Sequence, residues 1–172
     1  MIICVGPTSS GKTTLLKRLQ QHESGESRTT PMPSTIPTVG VNMVEVRAKQ
    51  QTFPIREVGG AMAPLWAQQC SDAEGVMYII DSANPQQFSP ALIQLLQLLT
   101  LEGLQRVPFL LVFNKIDAYS CIPLNEYKSA LRLNDIIHHA EQAIKVVDSS
   151  MLTGYGLDDM LEWLKNLETH TK

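Results

Sequence analysis

Short apolar runs and amphipathic segments alternate along the chain. Near-continuous apolar runs occupy residues 1–5, 76–80, 109–113 and 144–147. Such runs are typical of parallel strands that are covered on both faces. Residues 91–101 and 157–167 instead carry apolar side chains at helical spacing, and Ser89 with Pro90 predicts the start of the first helix. Strands that alternate with helices predict an α/β fold with a mostly parallel sheet.

Two further segments depart from this alternation. Residues 39–46 and 52–58 partly alternate apolar and polar positions and flank the polar residues 47–51, which predicts a hairpin at the sheet edge. Residues 22–37 hold three prolines with Ser, Thr and Gly and hardly any apolar residue. This composition predicts a long mobile loop, and such loops in compact domains are usually functional or disordered.

Composition limits the class of protein. A chain of 172 residues predicts one domain, here residues 1–172, and 44% hydrophobic with 18% charged residues is ordinary for a globular protein. Because the formal net charge is -3, there is no general attraction for nucleic acid, and any anion must be held locally. Three scattered cysteines fit a reduced, cytoplasmic location. We expect no direct membrane anchor, since neither a spanning run nor a terminal lipidation motif is present.

The first candidate for chemistry directly follows the first apolar run. Residues 6–13 match the pattern G-x-x-x-x-G-K-[ST] between a predicted strand and a predicted helix. Backbone N–H groups of such a loop surround phosphate oxygens, the lysine neutralises the β and γ oxygens, and the hydroxyl ligates Mg²⁺. A purely structural glycine turn is the alternative. The candidate phosphate-binding residues are Gly6, Thr8, Ser9, Ser10, Gly11, Lys12, Thr13 and Thr14.

The second candidate follows the run 109–113 and reads Asn114-Lys115-Ile116-Asp117. The Asp117 carboxylate can accept two hydrogen bonds from guanine, from N1–H and from the exocyclic amine, a donor pair that adenine does not offer. Lys115 would cover the purine, and Asn114 would tie the loop to the phosphate side. Four residues alone could form a solvated turn. Their position after a buried strand, about a hundred residues beyond the phosphate loop, favours a guanine site.

Together with Pro-Thr-Val-Gly at 37–40, Glu-Val-Gly-Gly at 57–60 and Gly-Tyr-Gly-Leu at 154–157, these motifs resemble the Arf-like branch of the small GTPases over almost the whole chain. The resemblance implies a P-loop NTPase fold with a six-stranded, mostly parallel sheet, one antiparallel edge hairpin and helices on both faces. It also implies GTP or GDP with Mg²⁺ as cofactors. A switch governed by the γ-phosphate would then bind effector and regulatory proteins.

The resemblance also implies further site residues. Thr38 would close over Mg²⁺ and the γ-phosphate, and the amide of Gly60 would touch that phosphate. Met151 and Leu152 fall where the backbone contacts the guanine oxygen. Glu57 stands where the family has Asp, a residue that holds Mg²⁺ through water. The extra methylene either alters that hold or is accommodated by a shifted water.

Other positions depart from the family. Ala61 replaces the glutamine that orients the attacking water, and the segment before residues 64–66 is two residues shorter than usual, so we expect hydrolysis slower than about 10⁻⁴ s⁻¹. Arg28, in the long loop, is interpreted as a solvated charge rather than a catalytic one. The family's aromatic effector positions hold Val41, Arg56 and Gln69, which should not favour effectors that bind an aromatic patch.

Three functional hypotheses remain at this point. The leading one is a monomeric GTP-binding switch with slow or activator-dependent hydrolysis. The N-terminal amphipathic helix typical of the branch is absent, so direct membrane insertion is not expected. A scaffold that holds GTP or GDP without cycling is the alternative, favoured by Ala61. A small-molecule kinase would also begin with a strand and a phosphate loop, but it has no need of the motif at 114–117.

Overall fold

The computed structural model describes residues 1–23, 36–48 and 50–167. Six strands form one sheet in the order β2-β3-β1-β4-β5-β6, in which only the β2–β3 pair is antiparallel. The strands are β1 (Ile2–Val5), β2 (Val41–Ala48), β3 (Gln51–Val58), β4 (Gly75–Asp81), β5 (Phe109–Asn114) and β6 (Ile144–Asp148). The predicted mostly parallel six-stranded sheet with an antiparallel edge hairpin is therefore confirmed.

Helices cover both faces of this sheet. They are α1 (Lys12–Glu23), α2 (Trp66–Gln69), α3 (Phe88–Leu99), α4 (Leu124–Ala130), α5 (Leu133–His139) and α6 (Leu157–Leu167). Alternate residues of a strand point to opposite faces. Thus Cys4 packs in the core formed with α1 and α6, whereas Val5 packs in the core formed with α2 to α5.

The hairpin strands extend further into the polar segment than the alternation predicts. Arg47 pairs with Thr52 and Ala48 with Gln51, so the ladder continues beyond the last apolar positions. Backbone hydrogen bonding does not require apolar side chains, and the outer end of an edge hairpin tolerates polar ones.

The start of α3 differs from the prediction. The helix begins at Phe88, and it is preceded by a 3-10 turn over Pro85–Gln87 whose entry is capped by the Asn84 side chain, which accepts a hydrogen bond from the Gln86 amide. Ser89 and Pro90 therefore lie inside the first helical turn rather than at its start. A proline fits there because the first N–H groups of a helix have no partner within it.

Most of the predicted loop over residues 22–37, including Arg28, lies outside the described residues. Of its ends, His22 belongs to α1, while residues 36–37 lead toward β2. In the described part of the chain, none of the helices has both the length and the apolarity needed to cross a membrane.

Candidate functional site

The loop between β1 and α1 lies at the carboxyl end of the sheet, where β1 runs between β3 and β4. Its two glycines adopt positive φ angles, +148° at Gly6 and +96° at Gly11. A Cβ on Gly6 would lie 2.2 Å from the Ile79 carbonyl oxygen, and one on Gly11 would lie 2.3 Å from Asn114 Nδ2. Only glycine fits at these positions, because both the backbone angle and the close neighbour exclude a side chain.

Lys12 lies folded over this loop. Its Nζ donates hydrogen bonds of 2.9 Å to the carbonyl oxygens of Gly6 and Pro7, and the residue is 5% exposed. Burial is the main influence on the ammonium and lowers its pKa, while nearby Cys4 and Glu57 act in the opposite direction. The arrangement holds the ammonium in place at the floor of the adjoining cavity.

That cavity measures about 280 Å³ and brings together most of the predicted phosphate and switch residues. It is lined by Thr8, Ser9, Gly11, Lys12, Thr13, Thr14, Ile36, Pro37, Thr38, Glu57, Gly60 and Lys115. Of the predicted loop residues, Gly6 and Ser10 do not line it. Both are buried behind it, and Ser10 contributes its carbonyl oxygen to the loop that follows β5.

Three side-chain oxygens converge at one end of this cavity. The hydroxyls of Thr13 and Thr38 both donate to Glu57 Oε1, the latter at 3.0 Å, and the two hydroxyl oxygens are 3.0 Å apart. Glu57 is fully buried, and its Oε2 has no hydrogen-bond partner among the described residues. An oxygen donor set with an unpaired buried carboxylate oxygen fits a hard cation such as Mg²⁺.

The loop after β5 is joined directly to the phosphate loop. Asn114, which is 1% exposed, donates from Nδ2 to the Ser10 carbonyl oxygen at 2.9 Å. Its Oδ1 accepts from Ser149 Oγ at 3.3 Å, at the end of β6. One amide group thus connects three segments that are far apart in sequence.

Lys115 makes a second connection. It has a positive φ of 65°, and its Nζ donates to the Ser9 carbonyl oxygen and to Asp81 Oδ2, each at 2.7 Å. Asp81 ends β4, is almost fully buried and also accepts from the Ala83 amide at 2.9 Å. The lysine stem is therefore held between the phosphate loop and the end of β4, next to the cavity.

The three remaining predicted base contacts lie outside the cavity lining. Asp117 is exposed, and within the described residues no hydrogen bond or ion pair engages its carboxylate. Met151 is buried, and its carbonyl oxygen accepts from Arg18 Nε at 3.1 Å, whereas Leu152 is 59% exposed. The segments that carry Asp117 and Met151 are joined by a 3.2 Å bond from the Ile116 amide to the Ser149 carbonyl.

The segment after β3 packs closely on the phosphate loop. A Cβ on Gly60 would lie 2.2 Å from the Thr8 amide nitrogen, and the Gly59 amide donates to the Gly40 carbonyl at 2.9 Å. Ala61 is exposed in the 3-10 segment Gly60–Leu65. Buried Trp66 then anchors the chain through Nε1–H to the Gly59 carbonyl at 3.3 Å.

The three predicted effector positions are also described. Val41 is 43% exposed at the start of β2. Arg56 donates to the Gln69 carbonyl at 3.0 Å and forms two hydrogen bonds, of 2.7 and 3.0 Å, with the Asp72 carboxylate. This ion pair holds the pKa of Asp72 below its usual value. Two of the three positions therefore fasten α2 to β3.

Three further residues that support the site were not predicted from the sequence. Asp81 directly follows the apolar run 76–80, and Ser149 lies two residues after the run 144–147; a polar residue at such a place is a signal for the carboxyl edge of a parallel sheet. Arg18 has a weaker signal, since an arginine on a helix normally points to solvent. Here it is 7% exposed because it reaches the Met151 carbonyl.

A glycine-bounded amide cradle with an inward lysine, at the carboxyl edge of a parallel sheet, defines a P-loop nucleotide-binding protein. Comparison with known proteins narrows the class. The profile of the ADP-ribosylation factor family matches residues 1–167, and the chain belongs to this family of small GTPases.

Individual relatives agree with this assignment. Human ADP-ribosylation factor-like protein 16 is 39% identical over 167 residues, which cover 96% of this chain and 84% of that protein. ADP-ribosylation factor-like protein 1 of Drosophila melanogaster is 31% identical over 96% of this chain and 87% of its own length. A solved structure, the Arl6 BBS3 small GTPase of Trypanosoma brucei with bound GppNp, has the same fold, with a TM-score of 0.82, 22% identity and coverage of 99% and 98% of the two chains.

Proposed function

We propose that this protein is a guanine-nucleotide-binding switch whose GTP-bound form binds effector proteins. The observation that carries the proposal is the Asn114 amide, which joins Ser10 of the phosphate loop to Ser149 of the loop after β6. A phosphate site and a purine site held by one buried side chain can respond together to a single ligand. Exposed Asp117, two residues beyond Lys115, supplies the carboxylate for guanine selection.

The cation that fits beside this ligand is Mg²⁺. Thr13, Thr38 and Glu57 would hold it, and when bound it would neutralise charge on the β- and γ-phosphate oxygens. No cluster of three His, Cys, Asp or Glu side chains occurs among residues 1–23, 36–48 and 50–167. With only one carboxylate, tight metal binding depends on phosphate oxygens, which makes metal and nucleotide binding interdependent.

Hydrolysis is proposed to be slow without an activator. Ala61 has no group that could orient water. The next glutamines along the chain, Gln68 and Gln69, lie in α2, where Arg56 bonds the Gln69 carbonyl. Single-turnover hydrolysis of bound GTP should be slower than about 10⁻⁴ s⁻¹. Ala61→Gln is expected to raise the rate, while Ala67→Gln, on the exposed side of α2, is the matched control and should not. Wild-type hydrolysis above that scale would contradict this part of the proposal.

Effectors are proposed to bind beside the switch segments, on a surface that includes Val41 and the Arg56–Gln69 region. This surface presents a half-exposed aliphatic side chain and a salt-bridged arginine instead of aromatic anchors. Effectors that depend on an aromatic patch should therefore bind weakly. We also propose a cytoplasmic monomer that contacts neither nucleic acid nor membrane directly.

A second candidate function is a scaffold that holds GTP or GDP without cycling. Ala61 and the close packing of Gly60 on Thr8 favour it, since little space is left there for movement. The two functions are separated by partner affinity. If partners captured from a lysate bind the GTP-loaded and GDP-loaded protein equally, the scaffold is favoured, and if they prefer the GTP form by tenfold or more, the switch is favoured.

A further inference from the structure

We propose that Glu57 is a direct ligand of Mg²⁺, and does not hold the ion through water as the family's aspartate does. The inference rests on the proposed function, because the ion would enter with a guanine nucleotide. Glu57 would then be the third protein side chain that binds the ion through oxygen, beside Thr13 and Thr38. Three observations carry it.

The first observation is the fixed backbone of Glu57. Glu57 pairs with Cys4 of β1 on one side and with Asn42 of β2 on the other. Because strands bond it on both sides, the backbone cannot withdraw to accommodate a longer side chain. The additional methylene, about 1.5 Å, the length of a C–C bond, therefore carries the carboxyl group toward the threonine hydroxyls.

The second observation is the spacing of the oxygens. Octahedral Mg²⁺ holds its ligands at about 2.0–2.1 Å, so adjacent ligand oxygens are about 2.9–3.0 Å apart. Thr38 Oγ1 is 3.0 Å from Thr13 Oγ1 and 3.0 Å from Glu57 Oε1. Thr13 Oγ1 and Glu57 Oε1 are in direct contact as well. The two separations from Thr38 Oγ1 thus match the edge of an octahedral face, and the carboxylate oxygen lies at the end of one of them.

The third observation is the unpaired half of the carboxyl group. Glu57 is fully buried, yet its Oε2 has no hydrogen-bond partner among the described residues. Desolvating a carboxylate oxygen without a partner is unfavourable, and a divalent cation bound to the same group offsets that cost. An aspartate on the same backbone would end about one bond length short, which leaves room for a water between carboxylate and ion.

The test counts the waters on the ion. The protein is loaded with Mn²⁺ and a non-hydrolysable GTP analogue, since Mn²⁺ accepts the same oxygen ligands as Mg²⁺. Electron paramagnetic resonance in ¹⁷O-enriched water then gives the number of coordinated waters. With two threonines, Glu57 and two phosphate oxygens bound, one of six positions remains for water. Glu57→Asp should show two waters and bind Mn²⁺ about tenfold more weakly.

Two coordinated waters in the wild-type protein would overturn the inference, whether or not the Asp variant folds. Equal water counts in wild type and a folded Glu57→Asp variant would do the same. Failure of the proposed function has a different signature, since the wild-type protein would then retain no guanine nucleotide. If the nucleotide binds and two waters are counted, only the direct ligation by Glu57 is wrong.

Discussion

Removal of the Asn114 side-chain amide is expected both to destabilise the folded protein and to weaken nucleotide binding. Asn114→Ala leaves the Ser10 carbonyl and the Ser149 hydroxyl without their partner in a buried setting. Each buried group that loses its hydrogen-bond partner lowers the free energy of unfolding by about 1–3 kcal/mol. The Ser149 hydrogen bond is the longer of the two, so its loss should cost an amount near the lower end of that range. We therefore expect a loss of about 2–4 kcal/mol, a large share of the 5–15 kcal/mol typical of a folded domain.

The assay is urea unfolding without added nucleotide, followed by the same titration with GDP and Mg²⁺. At a slope of about 2 kcal/mol per molar, the midpoint of Asn114→Ala should fall by about 1–2 M. GDP should raise the wild-type midpoint and leave the variant's nearly unchanged. Asn84→Ala is the matched control. The Asn84 side chain likewise bonds a backbone group, since it accepts from the Gln86 amide, but it lies in an outer turn, so its loss should cost only about 0.5–1 kcal/mol. Equal midpoints for the two variants would show that the Asn114 amide does not hold the two loops together.

Three further predictions follow from single sites. Gly11→Ala should abolish GDP retention in a filter-binding assay, because its Cβ would lie 2.3 Å from Asn114 Nδ2, whereas Gly103→Ala, with nothing within 4 Å, should leave GDP retention unchanged. In native protein at pH 8, a maleimide should modify exposed Cys121 but not Cys4, since burial raises the Cys4 pKa and keeps the thiol protonated; equal labelling by mass spectrometry would contradict this. Arg18→Met should speed dissociation of fluorescent GDP several-fold, because the Met151 carbonyl loses its buried donor, and an unchanged rate would count against that role.

The elements of the fold could be predicted where a continuous apolar run marks them in the sequence. The runs at 76–80 and 109–113 became β4 and β5 because a strand covered on both faces needs apolar residues at every position. The predicted start of α3 was wrong because the chain offers two similar start signals, Ser89 with Pro90 and Asn84 with Pro85. Sequence alone does not show that the second pair begins the turn leading into the helix.

The residues of the site were likewise predictable only where their signal is local in the sequence. The phosphate loop is continuous in sequence, so its spacing predicts its geometry. The contacts that join it to the rest of the site span long separations, such as 104 residues from Ser10 to Asn114 and 133 from Arg18 to Met151. These contacts depend on strand order and helix placement, which single-sequence patterns do not provide. The reach of Glu57 to Thr13 and Thr38 likewise emerges only once β3 lies beside β1.

The buried Asn114 amide and the exposed Asp117 carboxylate are proposed to form one guanine-nucleotide site together with the phosphate loop. Purified protein is denatured, and the released nucleotide is identified by chromatography and mass spectrometry, with Asp117→Asn as the comparison. We expect GDP or GTP in the wild type and a lost preference for guanine in the variant. An adenine nucleotide in the wild type, or no binding of added GDP with Mg²⁺ present, would contradict it.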